Sequence, residues 1–244
     1  APGVPSTTDD LVSTIIVPST DPDGDTVTYI YQWYKDGVLQ PEIPSNTVPA
    51  TNTAKGETWR SVAAPSDGAA YGPSAEDEVT IGNSPPTAPM VDVTPDSPVT
   101  SDNLVASITT PSSDADGDVI TYSYAWYKDG VLQPGLTAST VPTANTSKGE
   151  VWRCVVTPND GTVDGPSAED QVIIQNSLPT APVIDIAPGV PSTTDDLVST
   201  IIVPSTDPDG DTVTYIYQWY KEGVLQAEIP SNTVPATNTA KGET

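Results

Sequence analysis

Histidine and phenylalanine are absent, cysteine and methionine occur once each, and 8 basic residues stand against 33 acidic ones in 244. Without histidine the usual general base at neutral pH and the commonest transition-metal ligand are both missing, which excludes catalytic triads, zincins and most zinc sites. A lone cysteine holds no disulfide framework together. With a formal charge of −25 and no basic cluster, the chain would repel phosphate backbones and anionic lipid, so nucleic acid and membrane surfaces are poor candidate partners. Cations are the natural small partner, and oxygen would have to bind them. Long apolar runs are lacking too: Pro, Thr or Asp interrupts each one well before the roughly 18 to 20 residues needed to cross a bilayer. There is no initiating Met and no charged-then-apolar leader at Ala1, which reads as a mature product or an excised piece of a longer chain. What remains, 36 % hydrophobic residues with 5 Trp and 10 Tyr, supplies several small cores rather than one large one.

The sequence aligns with itself, without a gap, at a shift of 93 residues. LVSTIIVPSTDPDGDTVTYIYQWYKDGVLQ at Leu11 recurs as LVASITTPSSDADGDVITYSYAWYKDGVLQ at Leu104 and begins again at Leu197. First and third copies are nearly identical: residues 1–58 match 187–244 except for Asp36 against Glu222 and Pro41 against Ala227. The middle copy has diverged, so the pattern is an alternating array. NSPPTAP at Asn83 and NSLPTAP at Asn176 are short, uncharged and proline-rich, and read as stiff linkers. Cutting there predicts a copy over 1–84 that lacks its first strand, a complete copy over 85–177 and a partial copy over 178–244 that lacks its last strands. The third cannot close its own core. Its missing strands either lie beyond the sequence or come from a neighbouring molecule by strand addition.

Within each copy the hydrophobic period is two. Val27, Tyr29, Tyr31 and Trp33 alternate with Thr28, Ile30, Gln32 and Tyr34, and Ile120, Tyr122, Tyr124 and Trp126 repeat the pattern. Trp152, Cys154 and Val156 alternate in the same way, and Val172 with Ile174 marks another strand. Lys-Asp-Gly at Lys35 and Lys128, and Asp-Gly at Asp67 and Asp160, are turn signals with Gly where positive φ is needed. About seven short strands fit one copy, which predicts an all-β chain of two-sheet antiparallel sandwiches with Greek-key connections.

The Trp on the third strand and Trp-x-Cys on the sixth resemble the immunoglobulin core. In that fold a cysteine on the second strand pairs with the one on the sixth. Here Ala106 stands opposite Cys154, and Ser13 and Ser61 are their equivalents in the first copy, so the resemblance implies an Ig-like sandwich without its disulfide. The strings D-x-D-G-D-x-[VI]-T-Y-x-Y-x-W-Y-K-[DE]-G, K-G-E-x-W-R and N-S-x-P-T-A-P are similar to tandem Ig-like repeats of very large secreted or surface proteins of prokaryotes. That resemblance covers the whole chain and implies stalks and spacers rather than any activity.

DPDGD at Asp21, DADGD at Asp114 and DPDGD at Asp207 carry the chemistry. Each sets three carboxylates on alternate residues around a glycine: Asp21, Asp23 and Asp25; Asp114, Asp116 and Asp118; Asp207, Asp209 and Asp211. Three like charges in one turn repel unless a cation offsets them, and hard carboxylate oxygens suit Ca²⁺. The spacing is not that of an EF-hand, since Gly24 is at the fourth position and Gln32 at the twelfth. It resembles the Asp-rich Ca²⁺ loop of cadherin-like modules, where ligands from one module end and its linker rigidify the junction. By that resemblance Asp67 or Asp160, and Asn83 or Asn176, complete the shell. The competing reading is a solvated turn in which each Asp accepts backbone hydrogen bonds.

Other candidates are structural first. Cys154 reads as a buried small hydrophobe, the five tryptophans as core rather than sugar platforms, and Asn145-Thr146-Ser147 as the one glycosylation sequon. Pairs such as Asp36 with Glu42, or Glu76 with Asp77, are expected on an acidic surface without catalysis. The sequence therefore predicts no enzyme. It predicts a structural segment of a long Ig-like array, exported to the cell surface or into an extracellular filament and rigidified by calcium. Partners would be further copies of itself, end to end or side by side, and other cell-surface components or glycans, with no membrane insertion. The alternatives are an adhesin or carbohydrate-binding array, and a spacer in a larger secreted enzyme.

Overall fold

The computed structural model describes residues 4–244, and strands dominate it. The first copy carries β1 (Leu11–Val12), β2 (Thr28–Lys35), β3 (Val38–Leu39), β4 (Thr47–Val48), β5 (Thr58–Ser66) and β6 (Ala75–Thr80). The middle copy carries β7 (Met90–Thr94), β8 (Leu104–Thr110), β9 (Thr121–Lys128), β10 (Val131–Leu132), β11 (Thr140–Val141), β12 (Val151–Asn159) and β13 (Ala168–Ile173). The third carries β14 (Val183–Ala187), β15 (Leu197–Val203), β16 (Tyr220–Lys221), β17 (Val224–Leu225) and β18 (Thr233–Val234). One short 3₁₀ turn recurs in each copy, at Ala50–Asn52, Thr143–Asn145 and Ala236–Asn238.

The middle copy has the seven strands the pattern predicts, in two antiparallel sheets ordered β10-β9-β12-β13 and β11-β8-β7. Alternation decides which side chains face inward. Along β12, Trp152, Cys154, Val156 and Pro158 are buried while their neighbours are only partly so, as a strand with one face on a core requires. Val93, Leu104, Ala106 and Val141 meet that row from the facing sheet, and Trp126 joins it from the neighbouring strand β9. Trp126 and Trp152 pack edge to face with ring centroids 6.4 Å apart, the geometry that sets one ring's positive edge on the other's negative face. Both indoles are satisfied, Trp126 donating to the Ala138 carbonyl at 2.9 Å and Trp152 to Glu150 at 2.9 Å. Cys154 is a free thiol among these groups, and burial pushes its pKa up to about 12. The turn joining β9 to β10 has positive φ at both Asp129 and Gly130. That is the primed hairpin turn whose twist matches its strands, so the Asp as well as the Gly is left-handed.

The flanking copies have fewer strands among the described residues. In the first, no strand among the described residues precedes β1, and pairing of β1 with β4 spans only Leu11 and Val12. Its other sheet is whole, ordered β3-β2-β5-β6, and Trp33 and Trp59 keep the 6.4 Å edge-to-face contact. In the third, β14-β15-β18 forms a sheet, but the four-stranded sheet shrinks to the pair β16-β17. Trp219, expected as core like the other four, is only half-buried because no strand covers it.

Candidate functional site at the junctions between copies

The Asp loops owe their shape to local bonding. Asp114 Oδ1 accepts the backbone N–H of Asp116 at 2.8 Å and of Asp118 at 3.2 Å, and Gly117 turns the chain at a φ of 77°. Asp21 and Asp207 make the same two bonds in their copies. All three loops are thus Asx-type turns built by their own first aspartate.

What differs is what they meet. The loop of the middle copy lies against the first copy. The Thr7 hydroxyl donates to Asp116 Oδ1 at 2.5 Å, the Ser84 backbone N–H donates to Asp116 Oδ2 at 2.7 Å, and the Thr7 and Ser84 hydroxyls are 2.6 Å apart. The Lys55 ammonium donates to Asp118 Oδ2 at 2.5 Å and to Asn83 Oδ1 at 2.8 Å. Asn83 in turn donates to Asp160 Oδ2 at 2.7 Å. One further copy on, Thr100 and the Ser177 N–H donate to Asp209 at 2.5 and 2.6 Å, and Lys148 bridges Asp211 and Asn176. Thr7 and Ser84 come together because the Gly82 N–H donates to the Pro5 carbonyl at 2.7 Å, and Gln175 does the same with Pro98 at 2.6 Å. The donor set therefore sits on the end of one copy and the acceptor set on the start of the next.

The linker is also seated. Pro86 is fully buried, and a Cβ placed on Gly165 would lie 2.2 Å from the Pro86 carbonyl oxygen. Only a glycine permits that approach. At the first junction the linker is therefore packed against the following copy through Pro86.

Electrostatics agree with the geometry. The hydrogen bond to Asp118 holds the Lys55 ammonium above its ordinary range, and Asp211 does the same for Lys148. The Asn83 amide and the Val163 and Thr162 N–H groups hold the Asp160 carboxyl below the usual carboxylate value, and Thr100 does so for Asp209. Both carboxylates therefore favour the assembled junction above pH 3.8, their ordinary value, and lose that contribution as pH falls further.

Of the residues singled out from sequence, Asp114, Asp116 and Asp118 place carboxylate oxygens within 4.8 Å of one another, as do Asp207, Asp209 and Asp211. Asn83 and Asp160 join the first group's network, and Asn176 joins the second through Lys148. Asp21, Asp23 and Asp25 keep the loop but form no such group among the described residues. Asp67 is occupied by the N–H groups of Ala69 and Ala70 at 2.7 Å and has no linker partner. The oxygen-only donor set suits a hard cation, and Asp114 Oδ2 is a buried oxygen without a hydrogen-bond partner. Against this, both oxygens of Asp116 already accept protein donors and a lysine ammonium is bound to Asp118. Lys55, Lys148, Thr7, Thr100, Ser84 and Ser177 were not read from the sequence as site residues. Their only signal was that Lys-Gly-Glu and the linker serine recur in register with the Asp loops.

Three of the four paired acids are held by local hydrogen bonds. Glu76 is held by Arg60 at 2.6 Å, Asp77 by the Glu78 N–H at 3.0 Å, and Asp36 by the Thr58 N–H at 2.9 Å. Among the described residues no helix is long and apolar enough to cross a membrane.

No protein-family model matches the chain, and no curated protein matches it. Among solved structures, the FN1–FN3 domains of chicken CNTN1 are similar at 14 % identity and a TM-score of 0.29, over 62 % of this chain and 56 % of that one. The chain thus spans little more than half the length of that structure. The chicken interferon gamma receptor alpha chain is similar at 12 % identity and a TM-score of 0.37, over 65 % of this chain and 89 % of that one. By its own sheets and cores, the chain is an all-β tandem array of immunoglobulin-like sandwiches.

Proposed function

We propose that the chain is a structural, non-catalytic segment of a long Ig-like array, forming an extracellular filament or cell-surface stalk whose junctions are stiffened by calcium. The observation that carries this reading is the recurrence of one interlock: Thr, Ser and Lys on the end of a copy grip two aspartates of the next, at the same spacing both times. An enzyme or receptor site needs one constellation. A spacer needs the same joint again and again. In this reading Ca²⁺ binds Asp114 through its unpartnered oxygen together with Asp116 and Asp118, and binds Asp207, Asp209 and Asp211 likewise, with the lysine giving way at Asp118 and Asp211. The charge of −25 keeps such an array soluble and open to divalent cations that bridge neighbouring copies.

A calcium titration of the full chain tests the reading, following thermal midpoint and particle length by small-angle scattering, with reversal by EGTA. A cation that binds the folded state alone raises stability by mass action, about 2.7 kcal/mol at one hundred times its Kd. The expected result is a higher midpoint with a longer particle. No change in either quantity removes calcium and leaves joints held by lysine and hydroxyl groups alone.

A further inference from the structure

The four sheet edges of the complete middle copy are not alike. At β13, Gln175 Nε2 donates to the Ile173 carbonyl at 2.9 Å, and the strand carries Glu169 and Asp170. At β7, the Val93 N–H donates to Asp170 Oδ2 at 2.8 Å. β11 is two residues long, and its Val141 is turned fully inward. β10 alone is both open and apolar. In its ladder with β9, Val131 lies opposite Lys128 and Leu132 opposite Tyr127, and the Gln133 N–H donates to the Trp126 carbonyl at 2.8 Å. Bonded and non-bonded pairs alternate along an antiparallel ladder, so the Leu132 N–H and carbonyl point away from β9.

The same edge recurs at β3 and β17. Val-Leu-Gln follows the hairpin turn at 38–40, 131–133 and 224–226, while the next two residues differ: Pro-Glu, Pro-Gly and Ala-Glu. The three valines are 64–65 % exposed and the three leucines 40–47 %. Charge also sets this edge apart in a chain at −25. Each turn before it holds one base and one acid, Lys35 with Asp36, Lys128 with Asp129 and Lys221 with Glu222. The opposite edge of the same sheet carries Glu76, Asp77 and Glu78 in the first copy and Glu169 and Asp170 in the middle one. Two such edges repel each other, and a basic partner would be drawn to them instead. What suits a neutral, apolar edge with outward backbone groups is another edge of its own kind.

We propose that the edges at β3, β10 and β17 form a lateral seam between two antiparallel copies of this chain, β10 pairing with β10 about Leu132 and β3 with β17. Around the two-fold axis the Leu132 N–H of each chain donates to the Leu132 carbonyl of the other, an isologous contact. Two residues a side bury only a small part of the roughly 1,200 Å² that a specific interface needs, so one edge alone does not hold a partner. A chain that repeats the edge every 93 residues adds contacts without paying again for lost translational freedom. A partner without that period gains one contact only, which selects a second copy as the occupant. The seam needs no calcium, since no carboxylate of the Asp loops takes part.

The test is sedimentation of the full chain over rising concentration at roughly 0.15 M salt, where repulsion between exposed charges is screened beyond about 8 Å. Reversible dimerisation is expected. Val38→Lys, Val131→Lys and Val224→Lys together make the chain less negative by three charges, so relief of general repulsion alone would strengthen association. Loss of the seam should instead weaken it about a hundredfold or more. Oxidative trapping then reads the pairing itself. Leu132→Cys meets its own copy across the axis at a Cα separation of about 5.5 Å, which a disulfide spans. It should form a covalent dimer about tenfold faster than Gln171→Cys on the β13 edge, because the seam raises the effective concentration of the first thiol alone. All of these positions are exposed, and thermal midpoints of the variants check that they fold. A chain that stays monomeric up to millimolar concentration, association that survives the three lysines, or equal trapping at the two edges would overturn the proposal.

Discussion

Two pairs of identical segments adopt different structures in this chain. TYIYQWYK is an eight-residue strand at Thr28–Lys35, but over 214–221 only Tyr220 and Lys221 are strand. LVSTIIV shows the reverse, forming a seven-residue strand at Leu197–Val203 and a two-residue one at Leu11–Val12. In each case the longer form is the one with a neighbour: β5 lies beside the first, β14 beside the second. Intrinsic preference is the same within each pair, so it does not decide the outcome. A strand here is made by its partner's hydrogen bonds and by the apolar face they hold in place. The same lesson holds for the Asp loops. Three copies of one turn share their internal bonds, and only the two that meet a preceding copy draw their carboxylates together.

The sharpest way to break this comparison is at the tryptophans. Trp126 is fully buried between two complete sheets, while Trp219 lines an open cleft. Trp126→Ala should cost about 3–5 kcal/mol, the usual loss for a buried large aromatic. Trp219→Ala should cost well under half of that, because its indole already faces solvent on one side. Urea unfolding of the two variants, followed by amide exchange in the middle and third copies, gives both numbers. Equal losses would mean that the third copy has a closed core.

Next in size is the seat of the linker. Gly165→Ala brings a Cβ to 2.2 Å from a backbone oxygen, so Pro86 has to leave its place. Overpacking of this kind costs about 1–3 kcal/mol, and the expected signature is a shorter, more variable particle by small-angle scattering with the middle core unchanged. Gly135→Ala, where a Cβ meets nothing within 4 Å, serves as the neutral control. If both variants scatter alike, the linker's burial does not set the angle between copies.

Much of this architecture was legible. Period-two alternation located the aromatic strands, and Asp and Gly located the turns, because both signals act over a few residues. The seven strands of the middle copy and the core position of Cys154 followed from them. The joint was only half legible. Its acceptors announce themselves as three carboxylates around a glycine. Its donors do not: Thr7 lies 109 residues from Asp116 and Lys55 lies 63 from Asp118, and a single Thr or Lys has no local signature. The linker reads as stiff from its prolines, whereas its seating depends on Gly165, which carries no sign of that role in the sequence.

The smallest expected effect concerns one of the positions at which the cores of the first and middle copies differ: Ala106, Cys154 and Val156 in the middle copy stand where Ser13, Ser61 and Ala63 do in the first. Cys154 is buried as a small hydrophobe, but its counterpart Ser61 places a buried hydroxyl where it finds no hydrogen-bond partner. An unsatisfied buried hydroxyl costs about 1–3 kcal/mol, against a near-neutral apolar replacement. Ser61→Cys should therefore stabilise the first copy by about 1 kcal/mol, and Ser61→Ala by less, since it also leaves a small void beside Trp33 and Trp59. Cys154→Ser in the middle copy should destabilise it by a similar amount. Sulfur is larger than oxygen, so Ser61→Ala separates polarity from volume: a gain from both Ser61→Cys and Ser61→Ala would assign the effect to the unpaired hydroxyl. A loss from Ser61→Cys would show instead that the hydroxyl is bound, and that the two cores differ in packing rather than in one unpaired atom.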